Sequence, residues 1–371
     1  MHVAFLTDVA LPYVSGVTVA VKRQRDALRA NGDEVTVVGP HGDVDIAQPD
    51  LHVPGAPAGY RIAMFAPGLG ARLASRGVTS LHAHSVFGAS GAALTIARAR
   101  GLPFLLTLHT RLDEYVHYAK VAAPLAKMLL DPYLDAVLGS ADLVVAPCAE
   151  LADEIHDRAR AVEVVAAPIE PLLAAGDARR GRDAAGVADG VPLLLSISRL
   201  ALEKRVGDLL ELLASLRRRD AVLAYAGAGP LREELGARVG ALGLTDRVRF
   251  LGQLDSAALA DALAAADLVV SASRSETQGL ALCEAAAAGR AVVAPRRGGY
   301  SEILDGGAGL FPSATPAPQE LAACVDELLD DDARRTALAK EASTRALAAW
   351  SPDAVAVALR GAHERARRMR E

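Results

Sequence analysis

Short apolar segments alternate with longer amphipathic segments along most of the chain, and this alternation constrains the fold more than any other feature. The short segments lack a polar face, which is typical of strands buried on both sides of a sheet. Strands that alternate with helices predict parallel, doubly wound α/β sheets. The predicted strands are His2–Thr7, Glu34–Gly39, Thr79–His84, Phe104–His109, Leu143–Pro147, Glu163–Ala167, Leu193–Ser198, Val222–Ala226, Val248–Leu251, Leu268–Ser271 and Ala291–Ala294.

Helical segments fill the intervals between these strands. The predicted helices are Val17–Asn31, Arg61–Arg76, Gly88–Arg100, Val121–Leu138, Ala149–Arg158, Val206–Arg218, Pro230–Leu242, Ser256–Ala265, Pro318–Leu329, Asp332–Ala348 and Ser351–Arg370. The stretch Pro168–Gly190 is rich in glycine and proline, which indicates a linker. We therefore predict two Rossmann-like domains, residues 1–170 and 185–345, whose strand ends face a central cleft.

Composition excludes several classes of function. The chain has 371 residues and a net charge of −5, so no global basic surface indicates nucleic acid or an anionic membrane. Its three cysteines are far apart, which argues against a disulfide framework or a zinc site. Neither a signal peptide nor a transmembrane run is recognisable, so we expect a cytoplasmic protein, with peripheral contact to a membrane left open.

Charged residues follow two of the predicted strands in the second domain. Arg199, Glu203 and Lys204 come directly after Leu193–Ser198. An arginine and a lysine in a strand-to-helix loop can clamp a diphosphate, although a solvated basic loop would have the same composition.

Two glutamates, Glu276 and Glu284, stand eight residues apart after the strand Leu268–Ser271. Gly279 marks a junction between loop and helix, where free backbone N–H groups suit a phosphate or a sugar hydroxyl. Such a pair of carboxylates can accept hydrogen bonds from a sugar and from a ribose. The spacing alone is also compatible with ordinary surface charges on a helix.

Glycine-containing loops follow three further strands. Gly16 follows the first strand and can let a backbone N–H approach a diphosphate closely. Gly227 and Gly229 form a turn after Val222–Ala226, and Gly298 with Gly299 follows Ala291–Ala294. A turn of this kind can serve the fold alone.

Histidines end two strands of the first domain. His109 ends Phe104–His109, and His84 with His82 ends Thr79–His84. Side chains two residues apart lie on the same face of a strand, so we expect only His84, the one nearer the strand end, to reach the cleft.

Together these motifs resemble the retaining GT-B glycosyltransferases of the family 4 class. The matching features are the R-x-x-x-E-K run at Arg199, the G-x-G-P turn at Gly227 and the E-x7-E pair at Glu276. In this chain Ser15 replaces the first of the family's two glycines beside Gly16. The resemblance covers nearly the whole chain, with the motifs in the family's order.

The resemblance implies a role for each matching residue. Arg199 and Lys204 would neutralise charge on the leaving nucleoside diphosphate. Glu276 would hold hydroxyls of the donor sugar, Glu284 would hold the ribose, and His109 would contact the donor sugar. The donor-binding set implied is Gly16, Arg199, Lys204, Gly227, Gln278, Gly279, Leu280 and Glu284. The final helix, 351–371, would pack back on the first domain.

The run from His109 to Tyr118 is similar to an H-T-x-x-x-[DE]-Y-x-H-Y run of bacterial diacylglycerol glucosyltransferases. By this resemblance Asp113, Glu114 and Tyr115 are candidates for contact with the acceptor, and the position of His84 at a strand end makes it a further candidate. A lipid acceptor is favoured by this run, whereas a soluble acceptor is favoured by the slightly acidic first domain, with 14 basic and 18 acidic residues in 1–170.

The resemblance thus implies a hexosyltransferase that moves glucose or an N-acetylhexosamine from a UDP-sugar by front-face displacement. GDP-mannose as donor and a soluble acceptor stay open as alternatives. A sugar-nucleotide epimerase or an inactive binding paralogue are alternatives of another class. We expect no cofactor besides the substrate nucleotide sugar, and no metal at the acidic clusters Asp43–Asp45 or Asp330–Asp332.

Overall fold

A computed structural model of the chain describes residues 1–52, 61–111 and 123–371, apart from the side chains of 123–127 and 129. The chain divides into two compact units. The first comprises Met1–Pro168 and Pro352–Glu371, and the second comprises Ile169–Ser351. Each unit is built on a parallel sheet with helices between its strands, which confirms the predicted α/β fold class.

The first unit has a seven-stranded parallel sheet in the order β3-β2-β1-β6-β7-β8-β9, and β4 and β5 form a separate antiparallel pair. Its strands are β1 (His2–Leu6), β2 (Glu34–Gly39), β3 (Ile46–Ala47), β4 (Asp50–His52), β5 (Arg61–Ala63), β6 (Ser80–Ala83), β7 (Phe104–Thr107), β8 (Leu143–Ala146) and β9 (Val162–Val164). Its first five helices are α1 (Gly16–Ala30), α2 (Leu69–Ser75), α3 (Gly88–Arg100), α4 (Ala123–Ser140) and α5 (Ala149–Ile155).

The central strand of this sheet is apolar on both faces because each face has its own core. Ala4 and Leu6 of β1 belong to one buried cluster, and Val3 and Phe5 belong to another on the opposite face. This arrangement follows from the alternation of side chains along a strand, and it explains why β1 shows no polar face in the sequence.

The second unit has a five-stranded parallel sheet in the order β12-β11-β10-β13-β14. Its strands are β10 (Leu193–Ile197), β11 (Val222–Ala226), β12 (Val248–Gly252), β13 (Leu268–Val270) and β14 (Ala291–Val293). Its helices are α6 (Ala178–Ala185), α7 (Asp208–Ser215), α8 (Arg232–Ala241), α9 (Ser256–Ala265), α10 (Leu280–Ala287), α11 (Gly299–Leu304), α12 (Pro318–Asp330) and α13 (Asp332–Trp350).

The prediction that Pro168–Gly190 is a linker was wrong, because this stretch contains helix α6 of the second unit. Its glycines allow close packing against α9: a Cβ on Gly176 would lie 1.9 Å from the Ala260 carbonyl oxygen, and one on Gly181 would lie 2.1 Å from that of Asp261. Arg180 pairs with Asp261 at 2.5 Å, which fixes α6 to α9. The glycines that suggested flexibility therefore serve a tight helix contact.

The predicted helix Arg61–Arg76 was also wrong over its first half. Arg61–Ala63 is strand β5, which pairs antiparallel with β4, and α2 begins only at Leu69. Gly68 precedes α2 with φ of +87°, a conformation that glycine adopts without strain. In the second unit the loop after β14 holds a short helix, α11, that the sequence analysis did not predict.

The last helix, α14 (Pro352–Arg368), belongs to the first unit although it follows the second in the chain. It buries Val355, Leu359 and Ala362 in the same core as Phe5. At its outer face Arg360 Nη2 pairs with Asp33 Oδ2 at 2.7 Å. This helix therefore completes the apolar core on one face of the first sheet.

Candidate active site

Four loops of the second unit leave the carboxyl edge of its sheet and carry most of the predicted site residues. They follow β10, β11, β13 and β14, which are consecutive in the sheet from β11 to β14. Carboxyl ends of parallel strands lie at one edge, where ligands bind in open α/β sheets. The sheet order thus brings together motifs that are far apart in sequence.

The loop after β10 holds the two predicted cations. Arg199 Nη2 lies 2.6 Å from Glu203 Oε1, and the Glu203 side chain is only 4% exposed whereas that of Arg199 is 39% exposed. A buried carboxylate thus binds the Arg199 guanidinium at Nη2, while the side chain stays partly accessible. The next residue, Lys204, ends a short 3-10 turn, Leu202–Lys204.

Lys204 joins this loop to the loop after β13. Its Nζ lies 2.6 Å from Glu276 Oε1, and each side chain is about one-fifth exposed, at 19% and 18%. Burial raises the pKa of the Glu276 carboxyl, but the ammonium of Lys204 outweighs it and holds the pKa below its ordinary value. Glu276 is therefore an ionised hydrogen-bond acceptor at neutral pH.

The glycine turn after β11 supports the Arg199 loop through its backbone. A Cβ on Gly227 would lie 2.0 Å from the Ser198 carbonyl oxygen, and one on Gly229 would lie 2.4 Å from that of Leu200. Leu200 N also donates to the Ala228 carbonyl at 3.0 Å. Close approach of the two loops explains these glycines without a ligand.

Helix α10 begins at the junction that Gly279 was predicted to form. Gly279 has φ of +74°, and a Cβ there would lie 2.2 Å from Tyr300 Cδ1. Glu284 lies on the second turn of α10 and is 6% exposed, and Gln278 is 5% exposed. Leu280, the first residue of α10, is half-buried.

The glycine pair after β14 packs against the Glu276 loop. Gly299 N donates to the Thr277 carbonyl at 2.8 Å, and Tyr300 N donates to the Gln278 carbonyl at 2.9 Å. A Cβ on Gly298 would lie 2.7 Å from the Thr277 oxygen. Helix α11 thus holds the backbone between Glu276 and Gly279 in place.

In the first unit, Gly16 is the first residue of α1. Ser15 caps this helix: its Oγ accepts from Thr18 N at 3.2 Å, and Thr18 Oγ1 accepts from Ser15 N at 2.9 Å. This reciprocal capping explains the serine that replaces the family's glycine. An added Cβ at Gly16 would meet no described atom within 4 Å, so packing does not require glycine there.

His84 and His109 lie together at the carboxyl ends of the neighbouring strands β6 and β7. His84 Nδ1 and His109 Nε2 are 3.0 Å apart, and their rings stack with centroids 5.3 Å apart. Burial lowers the pKa of His109 to about 4. His84 is 1% exposed, and the predicted acceptor residues Asp113, Glu114 and Tyr115 lie outside the described residues.

Two further imidazoles continue this stack away from His109. The His82 ring stacks on that of His84 with centroids 4.3 Å apart, and His363 of α14 meets His82 edge-on at 5.1 Å. His82 and His84 were expected on one face of their strand, and the stacking agrees with that. His363 was not predicted to join them, because it lies far away in the sequence and follows no strand.

Asp8 at the end of β1 is another residue that the sequence analysis missed. It is 3% exposed, and its Oδ1 accepts from Ala89 N at 2.9 Å in the first turn of α3. Ser85 donates to its other oxygen. Its position in the sequence, directly after the apolar strand predicted at His2–Thr7, could have identified it.

The acidic pairs have structural partners. Asp43 accepts from Arg25 at 2.9 Å, Asp45 pairs with Arg29 at 2.8 Å, and Asp331 caps α13. Over the parts of the chain that the structure describes, no group of three or more histidine, cysteine or acidic residues has the arrangement of a metal site. Within the same residues, no helix combines the length and apolar character needed to span a bilayer.

Comparison with known proteins matches both halves of the chain to glycosyltransferase families. Residues 14–171 match "Glycosyltransferase Family 4" and residues 177–345 match "Glycosyl transferases group 1". An alpha-monoglucosyldiacylglycerol synthase of Streptococcus pneumoniae is 28% identical, with 79% of this chain and 71% of that protein covered. A D-inositol 3-phosphate glycosyltransferase of Catenulispora acidiphila is 31% identical, with 74% of this chain and 69% of that protein covered.

The fold also matches solved structures. The Anabaena Alr3699/HepE protein, crystallised with UDP and glucose, superposes with a TM-score of 0.77 at 19% identity, over 97% of this chain and 98% of that one. The matching structure has the GT-B fold, which confirms the fold expected from the sequence.

Proposed function

Because the chain belongs to the group 1 and family 4 glycosyltransferases, we propose that it transfers a hexosyl group from a UDP-sugar, with glucose as the preferred sugar, to an acceptor hydroxyl. The observation that carries this proposal is the contact between Lys204 and Glu276. It places a cation suited to a diphosphate beside an ionised carboxylate suited to sugar hydroxyls. The UDP and glucose bound by the Anabaena protein support the choice of donor.

The donor's diphosphate is held by Arg199 and Lys204. Both are hydrogen-bonded to carboxylates at 2.6 Å, so their positions are set before the donor arrives. Preorganised charge of this kind stabilises a leaving group electrostatically, since no side chain has to reorient as the bond breaks. Glu276 accepts hydrogen bonds from the sugar, and Glu284 from the ribose.

Transfer proceeds with retention of configuration at the anomeric carbon. The bond from this carbon to the diphosphate oxygen breaks, and the acceptor oxygen attacks on the same face of the sugar. The departing phosphate oxygen takes the acceptor's proton, so no protein base is needed. Arg199 and Lys204 carry the negative charge that develops on the diphosphate.

The acceptor that we propose is a diacylglycerol-type lipid. The Streptococcus relative is named for synthesis of such a glycolipid. In the first unit, Phe87 and Tyr133 stack with ring centroids 6.3 Å apart and are 47% and 40% exposed. Met128 on the same helix as Tyr133 is 62% exposed. Accessible apolar side chains of this kind suit an acyl chain.

A soluble polyol acceptor is the second candidate. The Catenulispora relative, whose name specifies an inositol phosphate, is slightly more identical than the Streptococcus protein, at 31% against 28%. The relatives are named as a transferase and a synthase, which favours transfer over an epimerase or an inactive paralogue.

A donor and acceptor screen tests the proposal. UDP-glucose, UDP-N-acetylglucosamine and GDP-mannose are each incubated with the protein and either diacylglycerol vesicles or inositol 3-phosphate, and release of the nucleoside diphosphate is measured. We expect fastest release from UDP-glucose with vesicles. Release from GDP-mannose alone would overturn the donor assignment, and acceleration by inositol 3-phosphate alone would overturn the lipid.

Substitution of the two cations tests the site itself. Arg199→Ala or Lys204→Ala should each lower turnover about 10²–10³-fold, because each removes charge stabilisation from the leaving diphosphate. Arg205→Gln is the matched control, since Arg205 is the next basic residue in the loop and pairs instead with Asp208 at 2.6 Å. Unchanged turnover in both alanine variants, or an equal loss in Arg205→Gln, would contradict the assignment.

A further inference from the structure

The hydrogen bond between His84 and His109 contains one proton, and the surroundings of His84 decide which ring supplies it. Nδ1 of His84 lies 3.0 Å from Nε2 of His109. Among the described residues, no hydrogen-bond partner reaches the other nitrogen of His84, Nε2. The ring is 1% exposed, so bulk water does not reach this nitrogen either.

A buried N–H without an acceptor is rarer in folded proteins than a buried acceptor that lacks a donor. If His84 carried its proton on Nε2, that N–H would be left without a partner in the core. If the proton is on Nδ1, it is donated to His109 and only a lone pair on Nε2 is unsatisfied. The second arrangement is therefore favoured for a neutral ring.

Both rings are neutral at physiological pH. Burial lowers the pKa of His84 well below its ordinary value and that of His109 to about 4. A neutral imidazole that accepts at Nε2 must carry its own proton at Nδ1. A donor at His84 consequently fixes the tautomer of His109.

The rest of the stack holds His84 in its ring orientation. His82 stacks on it at 4.3 Å, and Phe5 meets it edge-on at 4.4 Å. His82 Nε2 bonds to Thr107 Oγ1 at 2.6 Å while its Nδ1 has no described partner, so the same reasoning puts the His82 proton on Nε2. The contacts of the two rings thus favour a proton on Nε2 of His82 and on Nδ1 of His84.

We propose that His84 is a positioning residue that holds the ring of His109 and keeps its proton on Nδ1. His109 then carries its N–H at Nδ1, and its Nε2 accepts the hydrogen bond from His84. The tautomer follows from the contacts of the two rings, and only its effect on transfer rests on the proposed function. This role differs from the acceptor contact that was expected of His84 from the sequence.

Nuclear magnetic resonance of the full chain with ¹⁵N-labelled histidine tests the tautomer directly. Long-range proton–nitrogen spectra distinguish a protonated from an unprotonated ring nitrogen, and the His109 signals are assigned by their loss in His109→Asn. We expect protonated Nδ1 and unprotonated Nε2 for His109 in the unaltered protein. Protonated Nε2 would overturn the proposal.

Two variants test whether His84 sets this state. His84→Asn keeps an amide near the Nδ1 position and should preserve the Nδ1–H tautomer of His109, whereas His84→Leu should shift it toward Nε2–H. His363→Asn is the matched control, since it removes a buried imidazole whose ring meets His82 and whose Nδ1 bonds to Ser80. An unchanged tautomer in His84→Leu would overturn the proposal, and if that variant does not fold, the spectrum of the unaltered protein still decides.

Transfer kinetics give a second readout. His84→Leu should lower kcat about 10–100-fold, as loss of groups that orient a functional histidine does elsewhere, and His84→Asn should restore most of it. Equal loss in His84→Asn, His84→Leu and His363→Asn would indicate a structural role only. If no donor is turned over at all, the proposed function fails while the tautomer measurement stands.

Discussion

At the scale of single residues, the ion pair between Lys204 and Glu276 means that the donor does not meet a free cation. The diphosphate has to share or replace a carboxylate that already lies 2.6 Å from the ammonium. Each side chain is only about one-fifth exposed, so a Lys204 released from Glu276 needs another negative charge beside it. The diphosphate supplies that charge, so the competition modulates binding without preventing it.

This competition predicts that Glu276→Gln binds UDP more tightly while losing transfer. UDP lacks the transferred hexosyl group, so it loses no contact with Glu276, and its diphosphate interacts with an ammonium of Lys204 that is no longer paired with a carboxylate. We expect about a two- to fivefold tighter Kd by titration calorimetry, and a loss of turnover because sugar hydroxyls lose their ionised acceptor.

The control for this variant is Asp208→Asn, which releases the neighbouring Arg205 from a pair of similar length, 2.6 Å. That change should leave UDP affinity unaltered. Weaker UDP binding in Glu276→Gln would show that Glu276 supports the diphosphate rather than competing with it.

The residue types of the second unit's site could be predicted from sequence, but their contacts could not. Arg199, Lys204 and Glu276 follow strands that any parallel sheet brings to one edge, so their common location was accessible. The pairing of Lys204 with Glu276 spans 72 residues and depends on β10 lying beside β13. Gly227 was expected to contact the donor, and its close approach to the Ser198 carbonyl accounts for a glycine there without a ligand.

At the scale of elements, the histidine stack couples the sheet of the first unit to helix α14. His363 lies on α14, and its Nδ1 bonds to Ser80 Oγ of β6 at 2.8 Å. Burial lowers the pKa of His363 to about 3 and that of His82 well below its ordinary value. The attachment of α14 therefore depends on imidazoles that stay neutral.

This dependence predicts the sign of a pH effect on stability. An unfolded histidine has a pKa near 6.5, so on acidification the unfolded chain binds a proton before the folded one does. The stability contributed by neutral His363 is complete above about pH 6.5 and falls by roughly 1.4 kcal/mol per pH unit as the pH drops toward 3.

The variant His363→Asn removes this titration while keeping an amide beside Ser80. Urea unfolding followed by circular dichroism between pH 7 and pH 4.5 should show a shallower loss of stability than in the unaltered protein. His156→Asn is the control, because the His156 side chain is 80% exposed and its loss should leave the slope unchanged. Identical slopes for all three proteins would contradict the role of the stack.

Most elements were predictable because their apolar periodicity is strong. The helices Gly88–Arg100 and Ser256–Ala265 have the bounds that the sequence indicated. The errors at α6 and β5 have a common cause. The structure that glycines or a short apolar run adopt depends on what packs against them. The glycines before and within α6 pack against α9, and the short run of β5 pairs with β4.

At the scale of the whole molecule, two α/β units divide the chemistry that we propose. The second unit carries the charged residues suited to a nucleotide sugar, and the first carries the histidine stack and the exposed aromatic side chains near α3 and α4. Family membership follows from matches to both units, 14–171 and 177–345. The identity of the sugar and of the acceptor depends on residues that a shared fold does not specify.

The most direct test of this account is a crystal structure of the chain with UDP bound. We expect the diphosphate oxygens within hydrogen-bond distance of Arg199 and Lys204, the ribose hydroxyls at Glu284, and a lengthened contact between Lys204 and Glu276. UDP bound away from these residues, with Lys204 still paired to Glu276 and Arg199 still paired to Glu203, would contradict it.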